Sequence, residues 1–88
     1  MKTIFAILNK LKSEKEIEIF FDEIFTKNEL DTLSKRWRIM ELLALGDTQR
    51  DIAQKLNVSL CKVTRGAKIL KNNNAISTKF LNKGKNND

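Results

Sequence analysis

The 88-residue chain has no histidine, no tyrosine and no proline, three glycines and a single cysteine. Without histidine or tyrosine, and with Cys61 lacking an evident base partner, the usual means of acid–base and nucleophilic catalysis are missing. The carboxylates follow an ordinary amphipathic pattern with no metal-ligand spacing. The chain is therefore expected not to be an enzyme and to need no metal or cofactor. One cysteine cannot close an internal disulfide, which suits a reducing cytoplasm. No apolar run approaches the roughly 18 residues that span a bilayer. The opening Lys2 and the run Thr3 to Leu8 briefly imitate a secretory signal. The run then yields to Asn9 and Lys10 with no small-residue cleavage site, so it reads as an amphipathic helix, and no membrane partner is expected. The shortage of proline and glycine leaves little to interrupt helices, and Leu, Lys, Glu, Ala and Ile dominate. An all-α fold is expected.

What is present organises into one small helical domain over residues 1–82, followed by a basic tail, 83–88, expected to be disordered. Ile4, Ile7, Leu8 and Leu11 mark a first helix at helical spacing. Ser13 and Glu16 make a capping box that opens a second. Its apolar residues, Ile17, Phe20, Phe21, Ile24 and Phe25, form a face broader than one small subunit easily covers. The helices over 3–25 are thus expected to dimerise. Thr26 and Glu29 form another capping box, opening a long helix over 27–45 that carries Leu30, Leu33, Trp37, Met40 and Leu43 and stops at Gly46. A short last helix, 75–82, has Ile76, Phe80 and Leu81 as anchors.

Residues 48–71 read as a helix-turn-helix. Ile52, Ala53 and Leu56 share one face of its first helix, and Val63 falls one turn into its second. Val58 plugs the angle between them, and Ala53 is small where the helices approach. Asn57 tolerates a left-handed turn, and Ser59 is a suitable N-cap for a helix from Leu60. Charge supports the same assignment. Up to Asp51 there are nine Lys/Arg against ten Asp/Glu; from Ile52 onward there are eight against Asp88 alone. Lys62, Arg65, Lys68 and Lys71 recur every three residues along the second helix and read as one basic stripe. A polyanion, and nucleic acid first, is the expected partner. No aromatic residue lies between Leu56 and Lys79, which disfavours base-stacking recognition of single strands.

Between Phe25 and Lys71 stand Thr26 opening the long helix, Arg36–Ile39 (R-x-R-I), Gly46, Gln49–Arg50, and above all Val63–Gly66 (VTRG) followed by Leu70–Lys71. These residues give the stretch a resemblance to the Trp repressor family. It implies a six-helix subunit, an interlocked homodimer, and a sequence-specific repressor of double-stranded palindromic operators. L-Tryptophan would be the corepressor, controlling tryptophan biosynthesis or transport genes. The resemblance further implies an indole between Arg36 and Arg65, with Arg65 also meeting the carboxylate, Thr26 assisting and Gly66 leaving room for the ring. Guanidinium planes stack on aromatic rings and pair with carboxylates, so the chemistry is sound. Two alternatives stay open: Arg36 as a surface partner of Glu29 or Asp31, and Arg65 as a phosphate contact. The chain departs from tryptophan-responsive members in having Ile69 where they have a serine near the ligand's amino group. It is also one residue shorter between Gly46 and Gln49.

The expected DNA-facing residues are Gln49, Arg50, Leu60, Cys61, Lys62, Thr64, Lys68 and Lys71, with Cys61 a small residue near the DNA backbone. The expected effector residues are Thr26, Arg36, Arg65, Gly66 and Ile69. Two other functions stand beside this one: a related DNA-binding regulator with a different effector or none, and a basic adaptor that binds polyanions without selectivity.

Overall fold

The computed structural model describes residues 1–86 and contains six helices and no strand among them: α1 (Lys2–Lys10), α2 (Glu14–Ile24), α3 (Lys27–Ala44), α4 (Gln49–Leu56), α5 (Leu60–Lys71) and α6 (Ile76–Asn86). The chain divides into two compact units, Met1–Thr32 and Leu33–Asp88.

In the first unit, the Ser13 hydroxyl accepts from the Glu16 amide, while the Glu16 carboxylate takes the Lys12 amide rather than that of Ser13 itself. At Thr26 the capping box is fully reciprocal: the Thr26 amide donates to Glu29 and the Glu29 amide to the Thr26 hydroxyl. Phe21 and Phe25 lie one turn apart with ring centroids 5.1 Å apart. Neither α1 nor α2 buries any residue, and Phe5, Ile7, Ile17, Ile19 and Ile24 are exposed.

The core of the second unit is Ile39 and Leu42 of α3, Ile52 of α4 and Val63 of α5, with Leu43, Ala53, Leu56 and Val58 packed against it. Ile52 and Val63 are wholly buried. All five apolar positions expected between 48 and 71 therefore belong to this core. On α3 the outcome differs. Of the expected stripe, Met40 is buried and Leu43 packs against the core, but Leu33 and Trp37 are exposed, and Ile39 and Leu42, on an adjoining face, are buried beside Met40.

Two matching turns set the angles between these helices. After α3, Gly46 takes φ +100°, with Gly46 N–H donating to Leu43 and Asp47 N–H to Leu42. After α4, Asn57 takes φ 54°, and Asn57 and Val58 donate to Gln54 and Ala53. Both are Schellman closures, which satisfy the last carbonyls of a helix through one left-handed residue. Asn57→Gly is expected to hold or raise stability, whereas Asn57→Ala should lose about 1 kcal/mol because its Cβ resists that conformation. Urea unfolding of the pair would separate the two outcomes.

Thr48 caps α4 by accepting from Asp51, and Lys55 reaches back 2.8 Å to the Asp47 carboxylate. That bond, and then the Asp47 charge, raise the Lys55 ammonium pKa. Ser59 stands at the N-cap of α5 as expected, but its side chain makes no capping hydrogen bond. The Lys62 amide is instead satisfied by the Ser59 backbone carbonyl at 3.2 Å.

α6 runs to Asn86, four residues past the expected end at 82. Residues 83–86 of the expected tail are thus helical, because one glycine costs a helix only about 1 kcal/mol and no proline follows. Residues 87–88, the rest of that tail, lie outside the described residues.

Candidate functional site

Within the second unit, α3 and α5 wall a cavity of about 500 Å³, and Ser77 of α6 also lines it. α3 contributes Leu33, Arg36, Trp37, Ile39 and Met40; these include the stripe left exposed by the core. α5 contributes Cys61, Lys62, Arg65, Gly66 and Ile69. Such spacing along α5, with steps of three and four, is that of a single helical face. The volume lies within the range of small-molecule sites.

Four of the five residues expected around an effector, Arg36, Arg65, Gly66 and Ile69, line this one cavity. Thr26 belongs to the other unit, and its hydroxyl serves as the acceptor of the α3 cap. Gly66 has a second role that the sequence did not indicate. A Cβ there would lie 3.0 Å from Ile39 Cγ2, 3.2 Å from Met40 Sδ and 3.3 Å from Leu43 Cδ1. Its missing side chain therefore sets the close approach of α5 to α3 as well as the shape of the cavity.

Among the described residues of the second unit, no ion pair engages Arg36 or Arg65. Ile69 offers the cavity no polar side-chain atom, but the Ser77 hydroxyl lines it and can donate or accept. Nothing in the sequence marked Ser77, because its position depends on how α6 returns along α5. That return is fixed by Thr78, whose buried hydroxyl donates to the Ile69 carbonyl at 3.0 Å.

The residues expected to face DNA divide into three groups. Cys61 and Lys62 are exposed yet also line the cavity. Gln49 and Thr64 are joined to each other: the Thr64 hydroxyl lies 2.9 Å from Gln49 Oε1 and 3.0 Å from the Leu60 carbonyl, and can donate to either. Arg50, Leu60, Lys68 and Lys71 are exposed and contribute nothing to the cavity lining. The expected basic stripe is thereby split. Steps of three fall about 60° short of a full turn each, so three steps carry Lys71 to roughly the opposite side of α5 from Lys62. Lys62 and Arg65 turn to the cavity, and Lys68 and Lys71 lie in the last turn of the helix.

No group of His, Cys, Asp or Glu among the described residues could hold a metal ion, and no described helix is long and apolar enough to cross a membrane.

Comparison with known proteins is consistent with this arrangement. The family model described as Trp repressor protein matches residues 1–85. A Trp operon repressor homolog of Xylella fastidiosa (strain M23) is 40% identical over 72 residues, covering 81% of this chain and 78% of the relative. The protein of the same description from Chlamydia caviae is 39% identical over 75 residues, 84% of this chain and 71% of the relative. That from Chlamydia trachomatis serovar L2 is 32% identical over 79 residues, 89% of this chain and 84% of the relative. No solved structure matches the chain. The chain belongs to the Trp repressor family, a family of transcription regulators and not of enzymes.

Proposed function

We propose that two copies of the chain form a cytoplasmic homodimer that binds a palindromic operator and represses transcription, under control of an aromatic carboxylate held in the cavity. L-Tryptophan is the effector that the family resemblance implies. The observation that carries this reading is that the helix most suited to DNA is itself a wall of the cavity. Cys61, Lys62, Arg65, Gly66 and Ile69 belong both to α5 and to the cavity lining. α4 and α5 act as a helix-turn-helix, with the first turn of α5 in the major groove and Arg50, Lys68 and Lys71 at phosphates. A ligand between Arg36 and Arg65 bears directly on the angle of α5. It controls DNA binding to the extent that it prefers the DNA-competent angle.

Dimerisation is supported by the first unit, whose helices bury nothing and present five large apolar side chains to solvent. A monomer of this size would leave that surface uncovered. Sedimentation equilibrium at micromolar concentration is expected to give twice the chain mass. A folded monomer would remove the dimer and, with it, the palindromic site.

Selection from random duplexes tests the DNA reading. It should return inverted half-sites about one helical turn apart. Uniform recovery of all sequences would instead favour a basic adaptor.

A further inference from the structure

The polar side chains that line the cavity are almost all donors. Arg36, Lys62 and Arg65 donate hydrogen bonds and accept none, and the Trp37 indole has a donor only. No Asp or Glu is among the described lining residues. The two sulfur atoms are weak acceptors. Met40 Sδ packs against Gly66, and Cys61 stands about 12 Å from Ile69 along the axis of α5. Ser77 is therefore the one side chain of the described lining with a full hydrogen-bond acceptor.

Its neighbour fixes its place. The buried Thr78 hydroxyl donates to the Ile69 carbonyl at 3.0 Å, which holds the first turn of α6 beside the last turn of α5. Ser77 thus meets the cavity next to Ile69, and Ile69 lies one turn along α5 from Arg65. The C-terminal end of α5 and the N-terminal end of α6 carry opposite partial charges. The two helix ends offset each other here, and the hydroxyl decides what is recognised.

We propose that Ser77 accepts a hydrogen bond from the ammonium group of an α-amino acid effector, so that the cavity senses the amino group as well as the ring and the carboxylate. The proposal rests on the cavity being the effector site. An α-amino acid carries both charged groups on one carbon, so it needs a donor and an acceptor close together. Around Ile69 the two helices supply that pair: the Arg65 guanidinium for the carboxylate and the Ser77 oxygen for the ammonium.

Titration calorimetry of the intact protein at pH 7 with L-tryptophan and with indole-3-propionate, the same acid without its amino group, provides the test. Cys61 is exposed and lines the cavity, so slowing of its alkylation reports whether a bound probe occupies this site. Ser77→Ala is expected to lower the affinity for L-tryptophan relative to that for indole-3-propionate by about tenfold, the effect of one charge-assisted hydrogen bond. Ser77→Thr keeps a hydroxyl and should restore the ratio to within about threefold of its original value. An equal loss for both probes, no loss for either, or binding of indole-3-propionate without L-tryptophan would overturn the role of Ser77 and leave the effector site standing. No heat and no protection of Cys61 from either probe would overturn the effector site itself.

Discussion

Raising salt from 50 to 200 mM is expected to weaken operator binding by about 10³–10⁵-fold, the loss produced by roughly 6–10 phosphate contacts. The number follows from the division of charge on α5. Lys62 and Arg65 line the cavity, so in the proposed complex the phosphate row is assigned to Arg50, Lys68 and Lys71, all exposed and none in the lining. With both copies engaged, these cations and the polar Gln49–Thr64 pair supply a count in that range. Removing Lys68 or Lys71 eliminates one contact per subunit, two per dimer, and should flatten the logarithmic salt slope by about 2 for all sequences alike. With the first turn of α5 in the major groove as proposed, Lys62→Ala should change which sequences are preferred. Thr64→Val should act on both terms, since it frees the Gln49 amide from the bond that orients it. Fluorescence anisotropy across a salt series measures slope and selectivity together. Binding insensitive to salt would exclude the duplex as the partner.

Much of this arrangement was legible in the sequence where local chemistry decides the outcome. Gly46 and Asn57 close their helices by the same left-handed turn because few other residues accept it at low cost. Thr26 with Glu29 caps the helix it precedes because short polar side chains satisfy free amides there. The core around Ile52 and Val63 follows from apolar spacing alone. Arg36 and Arg65, which the family resemblance paired across a long separation in sequence, line one cavity.

What escaped the sequence depends on tertiary direction. Two apolar faces adjoin on α3, and periodicity does not say how far each is covered; Leu33 and Trp37 stay exposed at the cavity, Met40 is buried, and Ile39 serves both the core and the cavity lining. Lys62 and Lys71 looked like members of one stripe because a step of three is close to a turn, but the shortfall accumulates. Ser77 and Thr78 gave no signal, since their roles arise from the return of α6 along α5. Ser59 had the right residue type for a cap and the right position, yet its side chain does not make the bond.

Gly66→Val is expected to destabilise the protein by about 1–3 kcal/mol, the usual cost of forcing extra atoms into a packed contact. For a domain of this size each kcal/mol lowers the thermal midpoint by about 4–8 °C, so a fall of the order of 10 °C should be seen at fixed protein concentration. Two effects oppose each other at this position. A glycine inside a helix costs about 0.5–1 kcal/mol relative to alanine, so any side chain gains some helix stability. Against that gain, the new Cβ meets Ile39 Cγ2 at 3.0 Å, and Ile39 is β-branched and 2% exposed, with no room to rotate away. Met40 Sδ, at 3.2 Å, can yield because its side chain is flexible. Gly66→Ala should therefore lose less than Gly66→Val, whose two methyl groups add to the crowding. Ile39→Leu takes away the Cγ2 methyl, so combined with Gly66→Ala it should cost less than the sum of the two separate changes. Because α5 would be pushed from α3, Gly66→Val should also lose ligand-dependent DNA binding while keeping weak nonspecific affinity, as the exposed cations remain. Urea unfolding of the single and double variants measures the coupling directly. Strict additivity would mean that Gly66 is not what sets the spacing of these two helices.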